Sequence, residues 1–250
     1  MLPMAGQSNC TLALAERLRE VKSRIAAAAA RAGRSAEEIT LVAVTKTHPP
    51  QSVVALMKAG HSVLGENRVQ EALSKIESLK GAGQWHFVGH LQRNKVNAVM
   101  GRFELIHSVD SPRLIQELEK RAARHGADQR ILLELNVAGE TRKTGARPEE
   151  LDALLDALAA SPHLRAEGLM TMAPYSHDPE ASRPAFARLR ELLKSIPKLD
   201  HFSPRHLSMG MSGDYEVAIE EGATLVRIGT AIMGERINPD AVSPDDVSSD

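Results

Sequence analysis

The chain has 250 residues, one cysteine and nearly balanced charge, with 31 Lys and Arg against 32 Asp and Glu. A single cysteine excludes an internal disulfide and a Cys-rich zinc or iron–sulfur site, and aromatics at 3% argue against a base-stacking platform for nucleic acid. No run approaches a membrane span and residues 1–12 lack a secretory pattern, so neither nucleic acid nor membrane is an expected partner and the expected location is the cytoplasm.

Residues 9–32 read as one helix, with Leu14, Leu18, Val21 and Ile25 at helical spacing and Gly33 as its stop. Ile39–Thr45 is a continuous β-branched run, as expected of a strand buried on both faces. A helix over 51–59 follows, then a strand at 62–65 and a helix at 68–79. Strand 85–88 leads to helix 92–100, and strand 105–109 to helix 113–125, opened by Ser111 and Pro112. Strand 130–136 precedes a helix at 149–160, and strand 164–171 a helix at 180–195. Strand 206–209, helix 215–221 and strand 224–228 complete the series. Asn238 to Asp250 holds four Asp and no Lys or Arg, and reads as a disordered acidic tail.

Eight strands alternating with helices imply parallel strands and right-handed crossovers. Eight such units in this length fit a single (β/α)8 TIM barrel with an extra N-terminal helix, spanning residues 1–237. An open doubly wound sheet is the alternative. It predicts a G-x-G-x-x-G turn after the first strand, and that strand ends Thr45-Lys46-Thr47-His48-Pro49 instead.

In a barrel the chemistry lies at the C-terminal ends of the strands. Lys46 ends the first strand there. It is either a lysine reaching solvent or an amine in a partly desolvated pocket, able to form a Schiff base with a carbonyl. The loops after strands seven and eight, Ser208-Met209-Gly210-Met211-Ser212-Gly213-Asp214 and Arg227-Ile228-Gly229-Thr230, offer glycines, hydroxyls and backbone N–H groups where barrels commonly hold phosphate. A phosphate cup facing a lysine suggests pyridoxal 5′-phosphate (PLP). Asn67, after strand two, is either a mouth residue or a helix N-cap. His86 and His90 read as packed or surface histidines, because no H-E-x-x-H accompanies them and no metal site is expected. Lys143-Thr144-Gly145 and Ser195-x-x-Lys198 match penicillin-binding motifs only in the wrong order, and read as chance.

Several longer motifs carry a resemblance. LVAVTKTHP around Lys46, GENRVQEA at 65–72, WHFVGHLQRNK at 85–95, ELNVAGETRKTG at 134–145, GLMTMAP at 168–174 and LSMGMSGDYEVAIEEGATLVRIGTAIMGER at 207–236 resemble the PLP homeostasis protein family. That family is similar to the N-terminal barrel of alanine racemase, and the resemblance covers about residues 10–236. It implies that Lys46 carries PLP as a Schiff base. Ser212, Gly229 and Thr230 would hold the phosphate, helped by backbone at Met209 and Gly210. Arg227 would sit near the pyridine nitrogen and Asn67 near the ring, and Lys143 matches a further family lysine. Met233 stands where that family usually has phenylalanine, and His90 and Arg93 also depart from its pattern.

The resemblance implies a role in vitamin B6 homeostasis and amino-acid metabolism, as a carrier or buffer that passes PLP to apo PLP-dependent enzymes. The alternative is an alanine racemase of low activity. A cation beside the pyridine nitrogen disfavours its protonation and weakens carbanion stabilisation. Two-base racemisation also needs a second acid/base, which alanine racemases take from an added domain across a dimer. A 250-residue chain leaves no room for that domain, so the expectation is a monomer with no catalytic residues.

Overall fold

Period-two alternation along β1 (Thr40–Val44) sets the architecture. Leu41 and Ala43 join the large apolar core between strands and helices, whereas Val42 joins a second, smaller cluster with Leu105, Leu132, Met170 and Leu225. A strand apolar on both faces needs cover on both sides, and a closed parallel barrel supplies it. The computed structural model describes residues 5–140 and 144–234. The expected acidic tail at 238–250, the expected domain end at 237 and Lys143 lie outside them.

The eight strands close in sequence order, every pair parallel. After β1 come β2 (Val63–Glu66), β3 (Gln84–Phe87), β4 (Leu105–Val109) and β5 (Gln129–Glu134). Then follow β6 (Leu164–Met170), β7 (Phe202–Ser208) and β8 (Leu225–Ile228). β1 pairs with β8 from Thr40↔Leu225 to Ala43↔Ile228. That register excludes the open sheet, in which the first strand would not meet the last.

The helices are α1 (Ala5–Arg31), α2 (Pro50–Lys58), α3 (Val69–Ser78), α4 (Val96–Val99), α5 (Pro112–His125), α6 (Leu151–Ala159), α7 (Arg183–Ser195), α8 (Tyr215–Glu220) and α9 (Thr230–Met233). α1 is the extra element and packs along α2, α8 and α9. Leu14, Leu18, Val21 and Ile25 bury its inner stripe, each contributing roughly 1.5–3 kcal/mol of apolar burial. None of the described helices is long and apolar enough to cross a membrane.

Three local expectations change. β7 begins at Phe202, four residues earlier than its polar, Pro-containing sequence suggests; Phe202 is buried and pairs with Ala166 of β6. A register shift follows, at Gly168, whose φ is +146° and whose position leaves no space for a Cβ beside the His206 carbonyl. The region 92–100 divides into a 3-10 turn at Arg93–Lys95 and the short α4. A one-turn helix, α9, follows β8 where none is expected, because Ile232 and Met233 have core to bury against.

Candidate functional site

The C-terminal mouth of the barrel opens into a cavity of about 490 Å³. Continuing the β1 alternation, Val44 and Lys46 line it while Thr45 faces outward and is fully buried. The β2 alternation likewise turns Glu66 outward and brings Asn67 to the cavity. Asn67 does not cap α3, whose N-cap position is Arg68. Of its two sequence readings the mouth residue stands, and its buried Oδ1 has no partner among the described residues.

Ser212, Gly213, Gly229 and Thr230 form the side of the cavity built from the last two βα loops. Ser212 Oγ accepts the Ala231 N–H at 3.2 Å, joining the two loops. Asp214 Oδ1 accepts the Met211 N–H at 2.7 Å, and the Asp214 N–H returns to the Met211 carbonyl. These bonds leave the Ser212 and Gly213 N–H groups without an acceptor among the loop and cap bonds of the described residues. Met209 and Gly210 stand behind this wall instead of lining the cavity. Met209 is fully buried. The Gly210 carbonyl accepts the Arg227 N–H, and a Cβ at Gly210 would meet Ala218 and Tyr215 of α8.

Arg227, on β8, lines the cavity floor and is 4% exposed. Its Nη1 donates to Ser208 Oγ at 2.6 Å and its Nη2 to the Thr171 carbonyl at 2.9 Å. Among the described residues no carboxylate lies within ion-pair distance of it. Burial pulls its pKa down to about 10, against the attraction of Glu134 and Asp214. Below it, Ser208 Oγ is 2.8 Å from His107 Nδ1, and His107 Nε2 is 2.9 Å from His86 Nδ1. Burial lowers both histidine pKa values, that of His86 to about 4, so both rings are neutral near pH 7.

Further residues reach the cavity that sequence reasoning missed. Glu134 ends β5 facing inward, 1% exposed. Its Oε1 accepts the Thr144 hydroxyl at 2.6 Å, and its Oε2 has no partner among the described residues. Burial raises its pKa. The signal was present, since a carboxylate closing the buried run 130–134 is costly unless used. His90 is exposed, in keeping with a surface histidine, and also lines the cavity, 3.7 Å from Asp110. His86 is packed, as expected. Tyr175, 85% exposed, stands at the rim with its ring edge-on to His177.

The sequence profile described as alanine racemase, N-terminal domain, matches residues 17–237. The pyridoxal phosphate homeostasis protein of Aquifex aeolicus is 47% identical over 222 residues, which cover 88% of this chain and 97% of that protein. The structure of PipY from Synechococcus elongatus with PLP bound aligns with a TM-score of 0.76 at 32% identity, covering 88% of this chain and all of that one. An unknown protein from Bifidobacterium adolescentis aligns with a TM-score of 0.82 at 34% identity, covering 93% of this chain and 97% of its own.

Proposed function

Because the chain belongs to the pyridoxal phosphate homeostasis protein family, we propose that it binds PLP in the cavity at the barrel mouth and serves intracellular vitamin B6 homeostasis as a carrier or buffer. One observation carries the reading. A primary amine, Lys46, shares a cavity with a cup of hydroxyls and backbone N–H groups from the loops after β7 and β8. An aldehyde that carries a phosphate asks for that pair of partners.

The remaining polar groups suit such a ligand. Ser212 and Gly213 have backbone donors to give an anion, and Thr230 adds a hydroxyl. Asn67 Oδ1, unpartnered among the described residues, would find a ligand or water partner in a filled cavity. When bound, the cofactor supplies an aldehyde carbon for covalent capture. Lys46 would hold that carbon through its unprotonated amine, the aldehyde oxygen leaving as water. Arg227 holds a fixed positive charge at the cavity floor, which would keep a proton off a pyridine nitrogen beside it. This favours holding and releasing the cofactor over strong carbanion stabilisation.

The test is spectroscopic. Protein loaded with PLP should show an absorbance band near the visible edge that Lys46→Ala removes, and the loaded protein should restore activity to an apo PLP-dependent enzyme. No lysine-dependent band would overturn the cofactor assignment. No transfer would overturn the carrier role alone.

The second reading is a weak amino-acid racemase. Tyr175 favours it, since its phenol stands at the cavity rim and racemisation by two bases needs a second acid/base. Turnover of alanine or another amino acid at roughly 1 s⁻¹ or more would decide for it. The proposed state is a monomer, which sedimentation would test.

A further inference from the structure

Lys46 lies between two threonines, and both are tied to one cluster of charges. The outward-facing Thr45 donates its hydroxyl to Glu66 Oε1 at 2.6 Å. Its carbonyl accepts from Lys75 Nζ at 2.7 Å. On the other side of Lys46, the Thr47 N–H donates to Glu71 Oε1 at 2.5 Å. Lys75 Nζ joins the two halves, donating to Glu66 Oε1 at 2.6 Å and to Glu71 Oε1 at 2.8 Å. Its three N–H donors therefore have three acceptors.

The arrangement is costly and specific. Lys75 is 3% exposed and Glu66 fully buried. A buried ion pair seldom stabilises more than an apolar pair of the same size. Thr47 adopts φ +65°, a conformation a β-branched residue rarely takes unless its surroundings impose it. Both features converge on the residues flanking Lys46. Neither Glu66, Glu71 nor Lys75 lines the cavity.

We propose that Lys75, with Glu66 and Glu71, positions Lys46. The cluster fixes the backbone before and after the lysine, so that its amine enters the cavity in one orientation. Lys75, Glu66 and Glu71 are positioning residues, acting through Thr45 and Thr47 without touching the ligand. The inference rests on the reading that Lys46 captures PLP.

The test compares covalent with non-covalent binding. Stopped-flow growth of the lysine-dependent band is followed at saturating PLP in wild type, Lys75→Met, Glu71→Ala and Glu71→Gln. Affinity for 4-deoxypyridoxine 5′-phosphate, which lacks the aldehyde, is measured in the same proteins. Lys75→Met and Glu71→Ala should slow capture by about tenfold or more, the scale expected for a misoriented reacting group, while analogue affinity changes less than about threefold. Glu71→Gln keeps an acceptor for the Thr47 N–H and should capture nearly as fast as wild type. Capture at the wild-type rate in Glu71→Ala would overturn the inference, as would a parallel loss of analogue binding. Glu71 is partly exposed, so Glu71→Ala decides the question even if Lys75→Met does not fold. A wild-type protein with no lysine-dependent band would instead remove the cofactor reading, and this inference with it.

Discussion

Arg227 donates a 2.6 Å hydrogen bond to Ser208 Oγ at the floor of the cavity, and that bond begins a buried polar row. The guanidinium can only donate. Ser208 accepts from it, which leaves the hydroxyl hydrogen free to point at His107 Nδ1, 2.8 Å away. In that arrangement neutral His107 carries its hydrogen on Nε2 and donates to His86 Nδ1. A charge at the cavity floor is thereby joined to two buried neutral histidines inside the barrel.

Ser208→Ala should break this row in the middle. It leaves Arg227 Nη1 and His107 Nδ1 buried without the hydroxyl they share, at a cost of about 1–3 kcal/mol for each unpaired group. Urea unfolding would measure the loss, and PLP affinity should fall with it because Arg227 is no longer held.

Stability should decline as pH falls below neutrality. In the unfolded chain His86 titrates near 6.5, but in the fold burial and the neighbouring Arg130 hold it at about 4. Above 6.5 it is neutral in both states and its contribution is fully present. Below 6.5 the unfolded chain takes up the proton first, and stability is lost until the folded pKa is passed. His86 alone accounts for about 3 kcal/mol over that window, and His107, lowered further, acts in the same sense. Buried Glu66 and Glu134, whose pKa values burial raises, act oppositely. The decisive comparison is therefore wild type with His86→Gln in urea at pH 7.5 and pH 5. The variant should lose less stability between the two.

Glu134 places a carboxyl in a cavity proposed to hold a phosphate. Above its raised pKa it is ionised and repels that anion. Glu134→Gln keeps an acceptor for the Thr144 hydroxyl and removes the charge, so PLP should bind more tightly at pH 8, by on the order of tenfold. The advantage should shrink as pH falls, since the wild-type carboxyl then protonates as well. Equal affinities at pH 8 would show that Glu134 is not felt by the ligand.

Gly168→Ala should disrupt the barrel wall. At φ +146° an added Cβ would stand 1.9 Å from the His206 carbonyl oxygen, inside the β6–β7 register shift. The pairing must open, at about 3 kcal/mol or more. Gly213→Ala is the control, because its Cβ meets nothing within 4 Å. Thermal melts should place the control near wild type and Gly168→Ala well below it.

Much of the site was legible because strand polarity in a parallel barrel sends one end of every strand to the same mouth. Lys46, Asn67, Ser212, Arg227, Gly229 and Thr230 could each be named from its place just past or at the end of a strand, and all six meet at one cavity. Met209 and Gly210 were named for the same reason, but the turn of the loop puts them behind the wall. Glu134 and Thr144 come together only when the chain returns beside β5, where Ala146 bridges to Leu135. Lys75 carries no signal in the sequence, and only the approach of β1 and β2 buries it between Thr45 and Glu66.

The order of the amino acids alone carries the eight alternating units, the end of the barrel at which the cavity opens and the family to which the motifs point. Those properties follow from periodicity, chain direction and local motifs, which are written along the chain. Tertiary structure alone decided which side of each strand end faces the mouth, the row from Arg227 to His86, and the charge cluster that brackets Lys46. Each depends on strands far apart in sequence meeting at a particular register. A one-residue change in that register would turn every inward side chain outward.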